Sequence, residues 1–516
     1  MMYKNLLHKL FFYLLCFFLI TSCNPESNKS QLEKSRDDFN FEKIWSVEFP
    51  DVAIYSSLRV ADLNQDGVKD FVFGAGKSEM VPTEIGIIAV SGASGEIMWT
   101  LPARDEIFGS ANFLDINNDG IPDVIIGGRG AILYAINGKT GEIIWEYSQE
   151  NNLNDPGEEG LYNFYNPQFI EDQNDDGIPD ILISNGGDVT IAPNDPNRPP
   201  GNLMIIDSKV GNLIAQAEVP DSKEIYMSIV VSKLHKDEMG YTVIFGTGGE
   251  TLGGGLYRTT LSEIINQDLS NSVLLTSSEN HGFVAPPLLI DLNDNGFLDI
   301  VANSAEGKII AISGKDNSIL WEKKVSNTEV YSTIAAGNFV DNNRVDLFTS
   351  YSIGKWPVLR DNLQLLIRGD SGEIISQDTL GIYQTASPVV TDFNNDGYDD
   401  ALMSLNIHKK QSDGSSVLVN KLMVYDFFNN DIYQIHVSEP GANIASTPWI
   451  GDLDNNGKLD IAYPVLTLVY SQAQDDNVYF GVKGFRVNLL RSQIDLKSEI
   501  KWGSYMGSKY NGIYAN

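Results

Sequence analysis

Apolar residues along this chain fall in short runs cut by Gly-, Asn- and Asp-rich turns, and almost nowhere at the spacing of a helix. One unit recurs. It opens with an Asp-rich stretch, Asp62-Leu-Asn64-Gln-Asp66-Gly67-Val-Lys-Asp70, and runs straight into FVFGAG. Then come two apolar segments around a turn, as in IIAVSGASGEIMW, LYAINGKTGEIIW, LMIIDSKVGNLIA, IIAISGKDNSILW and LLIRGDSGEII, which is hairpin chemistry. Further copies start at Asp115, Asp172, Asp291, Asp392 and Asp452, with two eroded ones near Lys233 and Asn338. Successive starts lie 53, 57, 61, 58, 47, 54 and 60 residues apart. A fixed period of this length signals a repeat architecture. Each unit holds about four short strands, and four-stranded units repeated radially close into a ring that limits exposed sheet edges. The fold class is therefore all-β, a single β-propeller of eight four-stranded blades, with seven as the alternative.

The ends of the chain support closure and add a second theme. The opening strand FEKIWSVEFP matches the GEIIWEYS strands but has no loop before it, so it can pair with the last blade. The closing segment Trp502 to Tyr514 reads as the terminal piece of such a ring. Upstream, Lys4 and Lys9 precede an apolar run from Leu10 to Ile20, too short to span a bilayer and fitted to a signal-peptide core. It ends in Ile20-Thr21-Ser22-Cys23, which resembles the lipobox of bacterial lipoproteins and implies cleavage before Cys23 and lipidation of its sulfur. Residues 1–22 are then the signal, 23–40 the lipidated cysteine with a polar tether, and 41–516 the propeller. The only other cysteine, Cys16, leaves with the signal, so the mature chain holds no disulfide. The expected place is the cell envelope, lipid-anchored at the outer membrane, on either its periplasmic or its exposed side.

Charge narrows the partners. The chain carries 36 basic against 69 acidic side chains, a formal net of −33. Nucleic acid, which needs a basic footprint, is excluded as a partner. Solubility or divalent cations remain. The acids decide, because they sit in D-x-[DN]-x-[DN]-G-x-x-D, where positions 1, 3 and 5 converge around a turn, glycine at 6 permits the bend, and position 9 closes the cage. Hard oxygen ligands suit Ca²⁺ over zinc or copper. The six intact sets are Asp62, Asn64, Asp66, Asp70; Asp115, Asn117, Asp119, Asp123; Asp172, Asn174, Asp176, Asp180; Asp291, Asn293, Asn295, Asp299; Asp392, Asn394, Asp396, Asp400; and Asp452, Asp454, Asn456, Asp460. Up to six calcium ions are expected, most weakly at Asp291, which has two carboxylates where the others have three. The competing reading is a metal-free Asx turn. In the eroded copies Lys233 and Val340 replace ligands, and no calcium is expected there.

Position 12 separates the calcium families that share this opening. It is Phe73, Ile126, Ile183, Ala302, Met403 or Tyr463, inside a β-rich run, whereas EF-hands and dockerins place an acid there on a helix. The repeats resemble FG-GAP and VCBS-type propeller repeats, as in the integrin α-subunit head, over residues 41 to 516; the hairpins also resemble those of PQQ-like propellers. That resemblance implies calcium loops joining the first two strands of each blade.

Seven residues before five of the eight loop starts stands an aromatic, Tyr55, Phe108, Tyr165, Tyr226 and Tyr331, with Phe283 and Tyr383 near that register. They precede the innermost strand, at the central mouth opposite the loops. They read first as wedges between blades, like the Phe of FG-GAP repeats, and also as a surface for stacking on a sugar or gripping a peptide. Long Gly-, Pro- and Asn-rich interruptions near 186–202 and 247–284 project from blades three and four, and Thr247 to Gly255 lacks the Lys and helix of a phosphate loop. The four histidines of the mature chain, His235, His281, His408 and His436, have no catalytic context. The expected role is a monomeric binding or adhesion module with a glycan or protein ligand on the central face, touching membrane only through its lipid. An outer-membrane assembly scaffold and a propeller-type polysaccharide lyase are the alternatives. Replacing Cys23 by Ser should release the chain from the membrane fraction into the soluble one; unchanged fractionation would contradict the lipid anchor.

Overall fold

The protein is described by a computed structural model over residues 41–148, 163–188, 191–192, 194–341, 343–355, 358–382, 385–412, 416–436, 439–472 and 478–514. The signal segment, Cys23 and Tyr383 lie outside these residues. Eight antiparallel sheets, each of four strands or four with a short extra one, form eight blades. In blade 1 the order from axis to rim is Arg59–Ala61, Asp70–Gly74, Thr83–Val90 and Ile97–Ala103. Blades 2 to 7 begin on the inner strands Asn112–Leu114, Gln168–Ile170, Val230–Ser232, Leu288–Ile290, Ala335–Gly337 and Val389–Thr391. Blade 8 runs Trp449–Gly451, Lys458–Gln472, Val478–Asp495, and its outermost strand is Glu42–Pro50 from the other end of the chain. The register Glu42↔Arg491 through Pro50↔Gly484 closes the ring, as the sequence predicts.

Burial explains the two hydrophobic patterns. Second strands such as Asp70–Gly74 and Asp123–Gly127 are buried at every residue, because a neighbouring blade covers each face, so they read as unbroken apolar runs. Outer strands have one free face: in Ile97–Ala103 Trp99 turns inward between half-buried Met98 and exposed Thr100. The outer-strand tryptophans clasp the next blade. Trp45, Trp99, Trp145 and Trp321 each donate Nε1–H to a turn carbonyl there, on Gly92, Gly138, Ser208 and Gly369, at 2.7–2.9 Å. The ring stacks on that turn's glycine. Gly141, for example, has φ +73°, and a Cβ there would lie 2.6 Å from the Trp99 ring, so only glycine fits. Between blades 4 and 5 Arg258 takes this role, donating to the Gly314 carbonyl at 3.0 Å.

The innermost strands, only three residues long, present open edges to the axis, and two devices cover them. At the upper end a belt of side chains links blade to blade. Thr447 N–H donates to Ser57 Oγ, Ser57 N–H to Ser110 Oγ, Ser110 N–H to Asn166 Oδ1 and Asn166 N–H to Ser228 Oγ. Thr333 N–H donates to Ser387 Oγ and Ser387 N–H to Thr447 Oγ1. The belt joins every blade except the fifth, where Pro286 and Pro287 stand and supply neither an N–H nor a hydroxyl.

Below the belt the axis is filled by the chain's own C-terminal segment, Trp502 to Tyr514. Val390 N–H donates to the Trp502 carbonyl, Ile450 N–H to Gly503, and Leu289 N–H to Gly512, at 2.8–2.9 Å; Val60 N–H donates to Tyr510 Oη at 3.1 Å. Trp502, Ser504 and Met506 are all but inaccessible to solvent. Arg59, fully buried, stacks on Tyr510 at 4.4 Å and donates to the carbonyls of Ala111 (2.8 Å) and Tyr505 (3.4 Å). Burial without a carboxylate lowers its pKa to about 10. The segment thus replaces the water that the inner edges of blades 1, 5, 7 and 8 would otherwise need. Trp502→Ala should cost about 3–5 kcal/mol, the range for deleting a buried large aromatic, read from urea unfolding. A loss under about 1 kcal/mol would mean that the plug is dispensable.

Candidate functional site

Two faces follow from this construction. One holds all the Asp loops, and the other is the open mouth above the belt. In each intact loop one hydrogen-bond pattern recurs. Position 1 accepts the N–H of the glycine at position 6, as Asp62 does from Gly67 at 3.1 Å. Position 5 accepts the N–H of position 7, as Asp66 does from Val68 at 2.8 Å. Position 9 accepts the N–H of position 2, as Asp70 does from Leu63 at 3.0 Å. The turn also needs left-handed backbone at position 4, where Gln65, Asn118, Asp175, Asp294, Asn395 and Asn455 have φ of 56–61°; the sequence pattern marks only the glycine that follows two residues later.

These bonds leave oxygens over. Asp62 Oδ1, Asp180 Oδ1 and Asp454 Oδ1 are buried atoms with no hydrogen-bond partner. Oxygen donors gathered in such number fit a hard divalent cation. Asp452, Asp454 and Asp460 have carboxylate oxygens within 4.8 Å of one another. In that loop Arg491 bridges Asp454 at 2.7 Å and Asp460 at 3.0 Å, an internal cation that the loop motif does not signal. The seventh loop gains an acid instead: Asp426, buried at the end of the third strand, stands beside Asp400, whose carboxyl is pushed to about 9, first by burial and then by Asp426. Burial likewise raises Asp70, Asp123 and Asp180 to about 6. In the fourth loop Glu238 accepts the Leu234 N–H in place of a position-9 Asp, and Lys233 is exposed, lying 5.1 Å from the Tyr241 ring.

On the opposite face the predicted aromatics do not form one uniform ring. Phe108, Tyr165 and Tyr226 make a continuous row across blades 2 to 4, with centroids 5.5 and 6.2 Å apart. Tyr55 packs on the apolar cluster between blades 8 and 1, and Tyr331 donates to Glu329 Oε2 at 2.8 Å. The register therefore splits: Tyr55 packs into an inter-blade cluster, whereas Phe108, Tyr165 and Tyr226 line up as a row. Around the row stand charged groups that the repeat pattern does not mark. Arg129, over Phe108 at 5.8 Å, pairs with Glu79 at 2.6 Å and Glu106 at 3.6 Å. Arg198 pairs with Glu224 at 2.6 Å and donates to Tyr226 Oη and to the Ile191 carbonyl.

Burial opposes the charge of both arginines, yet the surrounding acids and phenols hold them more basic than usual. Burial pushes Glu106 up to about 7 and raises Asp105 and Glu224 as well. Arg198 and Glu250 come from the two long interruptions, which is the sequence signal that points to this face. The Gly-rich stretch is not a free loop: Gly248 N–H donates to the Glu224 carbonyl, Gly282 N–H to Gly249, and Phe283 N–H to Thr247. A Cβ on Gly249 would meet Glu224 at 2.6 Å and Tyr226 at 2.8 Å, so the stretch leans on the row. Glu250 at its tip is exposed and feels Glu79, Arg129, Glu224 and Glu329, which belong to four different blades, and this places it over the axis. The face is a cup with an aromatic wall, charged rim and a floor made by the belt and plug.

Fold and site together define an eight-bladed β-propeller with a sealed axis and one open cup. Residues 45–271 match the FAM234A/B beta-propeller family. Protein FAM234A of Bos taurus is 27% identical over 157 residues, 27% of each chain, so the match spans about a quarter of that relative's length. Among solved structures, the quinohemoprotein alcohol dehydrogenase of Comamonas testosteroni superposes with a TM-score of 0.55 at 10% identity, over 90% of this chain and 79% of that one. A europium-containing methanol dehydrogenase gives 0.56 at 9%, over 88% and 94%. At such identity the likeness is one of fold.

A carboxyl whose folded-state pKa exceeds its unfolded value makes the fold more stable as pH falls through the interval between them, here from about 6 to 3.8 for Asp70, Asp123 and Asp180. With divalent cations chelated, the melting temperature should therefore rise between pH 7 and pH 5. A fall over that interval would show that the loop acids are not held against their charge.

Proposed function

We propose that the chain is a calcium-stabilised, lipid-anchored β-propeller of the cell envelope, which binds a glycan or protein ligand in the cup opposite its Asp loops. The observation that carries this is the sealing of the axis by Trp502 to Tyr514. A ligand cannot thread the ring or reach the core from the loop face, while on the opposite face Phe108, Tyr226, Glu79 and Arg129 keep part of their surface in solvent and Glu250 is exposed. Clefts that combine apolar walls with a few convergent polar groups are the usual ligand sites.

Calcium fits the loops, whose orphaned carboxylate oxygens need a counter-charge. Its role in this reading is structural: a site filled about 100-fold over its dissociation constant adds roughly 2.7 kcal/mol, and the mature chain has no disulfide to do this work. The anchor sets an orientation. The closing strand starts at Glu42 on the loop side of the rim, where Trp45 meets the Gly92 turn, and runs toward the cup side at Pro50. A lipid on Cys23 then tethers the loop-side rim, leaving the cup turned away from the membrane.

Two measurements test the proposal. Millimolar calcium should raise the melting temperature at pH 7.5 and EDTA should lower it, with calcium found by elemental analysis; no calcium and no EDTA effect would remove the metal. Arrays of glycans and envelope proteins probed with the full chain should give binders that Tyr226→Ala weakens about tenfold, near 1.4 kcal/mol. Binders indifferent to Tyr226→Ala and Phe108→Ala would place the ligand elsewhere.

A further inference from the structure

The charge of the cup says which ligands it excludes. Six carboxylates gather there, on Glu79, Asp105, Glu106, Glu224, Glu250 and Glu329, against the guanidinium groups of Arg129 and Arg198, both already engaged by acids. A neutral ligand closing over Glu79 and Glu250, the two of these that keep contact with solvent, would strip water from their carboxylates and return no charge. A cation would compensate them, and the wall it meets is aromatic, which attracts cations through the ring faces.

A second feature points the same way. Tyr165, in the middle of the row, is 6% exposed, and its hydroxyl makes no hydrogen bond of good geometry; the Asn163 side chain beside it offers at most a weak one. Asn163 Oδ1 and Asn185 Oδ1, on residues 1% exposed, are also unpartnered. Buried polar atoms are almost always satisfied, so three orphans in one corner mark a place for a donor from outside. Two of them are pure acceptors, which suits N–H groups.

We infer that the cup binds the ammonium or guanidinium group of a basic side chain, so that its ligand is a lysine- or arginine-bearing peptide segment. This rests on the cup being the ligand face and adds the chemical class. The aliphatic stem of such a side chain lies along the Phe108–Tyr165–Tyr226 row, and its head reaches the acids around Glu250 and the amide oxygens beside Tyr165. A cationic amino sugar shares the head-group chemistry but is a different polymer.

The test is calorimetric titration of the full chain at low and physiological salt with three probes: a tetralysine peptide, the same peptide acetylated on every Nε, and fully deacetylated chitotetraose. The free peptide should bind at least about tenfold tighter than the acetylated one. Glu250→Gln, at an exposed tip, should weaken it about fivefold or more. Tyr165→Phe should weaken binding and leave the melting temperature nearly unchanged, because the lost hydroxyl makes at most a weak bond, to Asn163. Glu96→Gln with Glu142→Gln, exposed on the rim, should leave binding unchanged. Equal loss with the rim pair would overturn the inference by showing mere attraction to an acidic protein. Acetylated peptide binding as tightly, yet still sensitive to Tyr165→Phe, would overturn the cation and keep the cup as the ligand face. Chitotetraose binding in place of peptide would overturn the peptide. No binding by any probe would overturn the inference alone, since the arrays decide the face separately.

Discussion

Eight inner strands of three residues each, facing one axis, set the problem that the rest of this structure solves. A strand that short gains little from its one neighbour, and its other edge carries backbone N–H and C=O groups with no sheet beyond them. Left to water they would hold open a wet channel through the core. The chain instead supplies partners from within: hydroxyls five residues before the loops at the upper end, and the turn-rich segment Trp502 to Tyr514 below. The fully buried, acid-free Arg59 shows how committed that interior is, since its charge is offset only by carbonyl dipoles and the Tyr510 ring. Because the plug occupies the axis, only the mouth above the belt and the loop face remain as surfaces at the ends of the ring.

The rim works by a different principle, repetition without cooperation at a distance. Each tryptophan clasp and each Asp loop touches only adjacent blades, as in other repeat architectures. Gln65 reaches the Gly120 carbonyl and Asn455 the Gly67 carbonyl, so neighbouring loops brace one another around the face. Where a blade lacks the standard part, a substitute appears close by: Arg258 for a tryptophan and Glu238 for an aspartate.

These differences explain what could be read in advance. Blade number, the Asp loops and the closing strand are written as local, periodic patterns, and the structure follows them blade by blade. The belt is written too, in Ser57, Ser110, Ser228, Thr333, Ser387 and Thr447, but single small polar residues at that spacing look like ordinary turn chemistry. The seat of the closing segment in the axis and the role of Arg59 were out of reach, because their partners lie from 52 to 450 residues away and no period links them. The aromatic register was visible, yet only Phe108, Tyr165 and Tyr226 join in a row. What separates them from Tyr55 is the charged material carried in by the two long interruptions, and insertions have no repeat from which to infer position.

The central claim, that the axis is sealed by the chain's own C-terminus, is most directly tested by hydrogen–deuterium exchange of the free protein. The N–H groups of Val60, Leu289, Val390 and Ile450, each on an open edge, should exchange as slowly as those of the fully paired second strands, and peptides covering 502–514 should be equally protected. Rapid exchange at those four amides with an unprotected C-terminal segment would contradict the account, leaving an open channel where this structure places a plug.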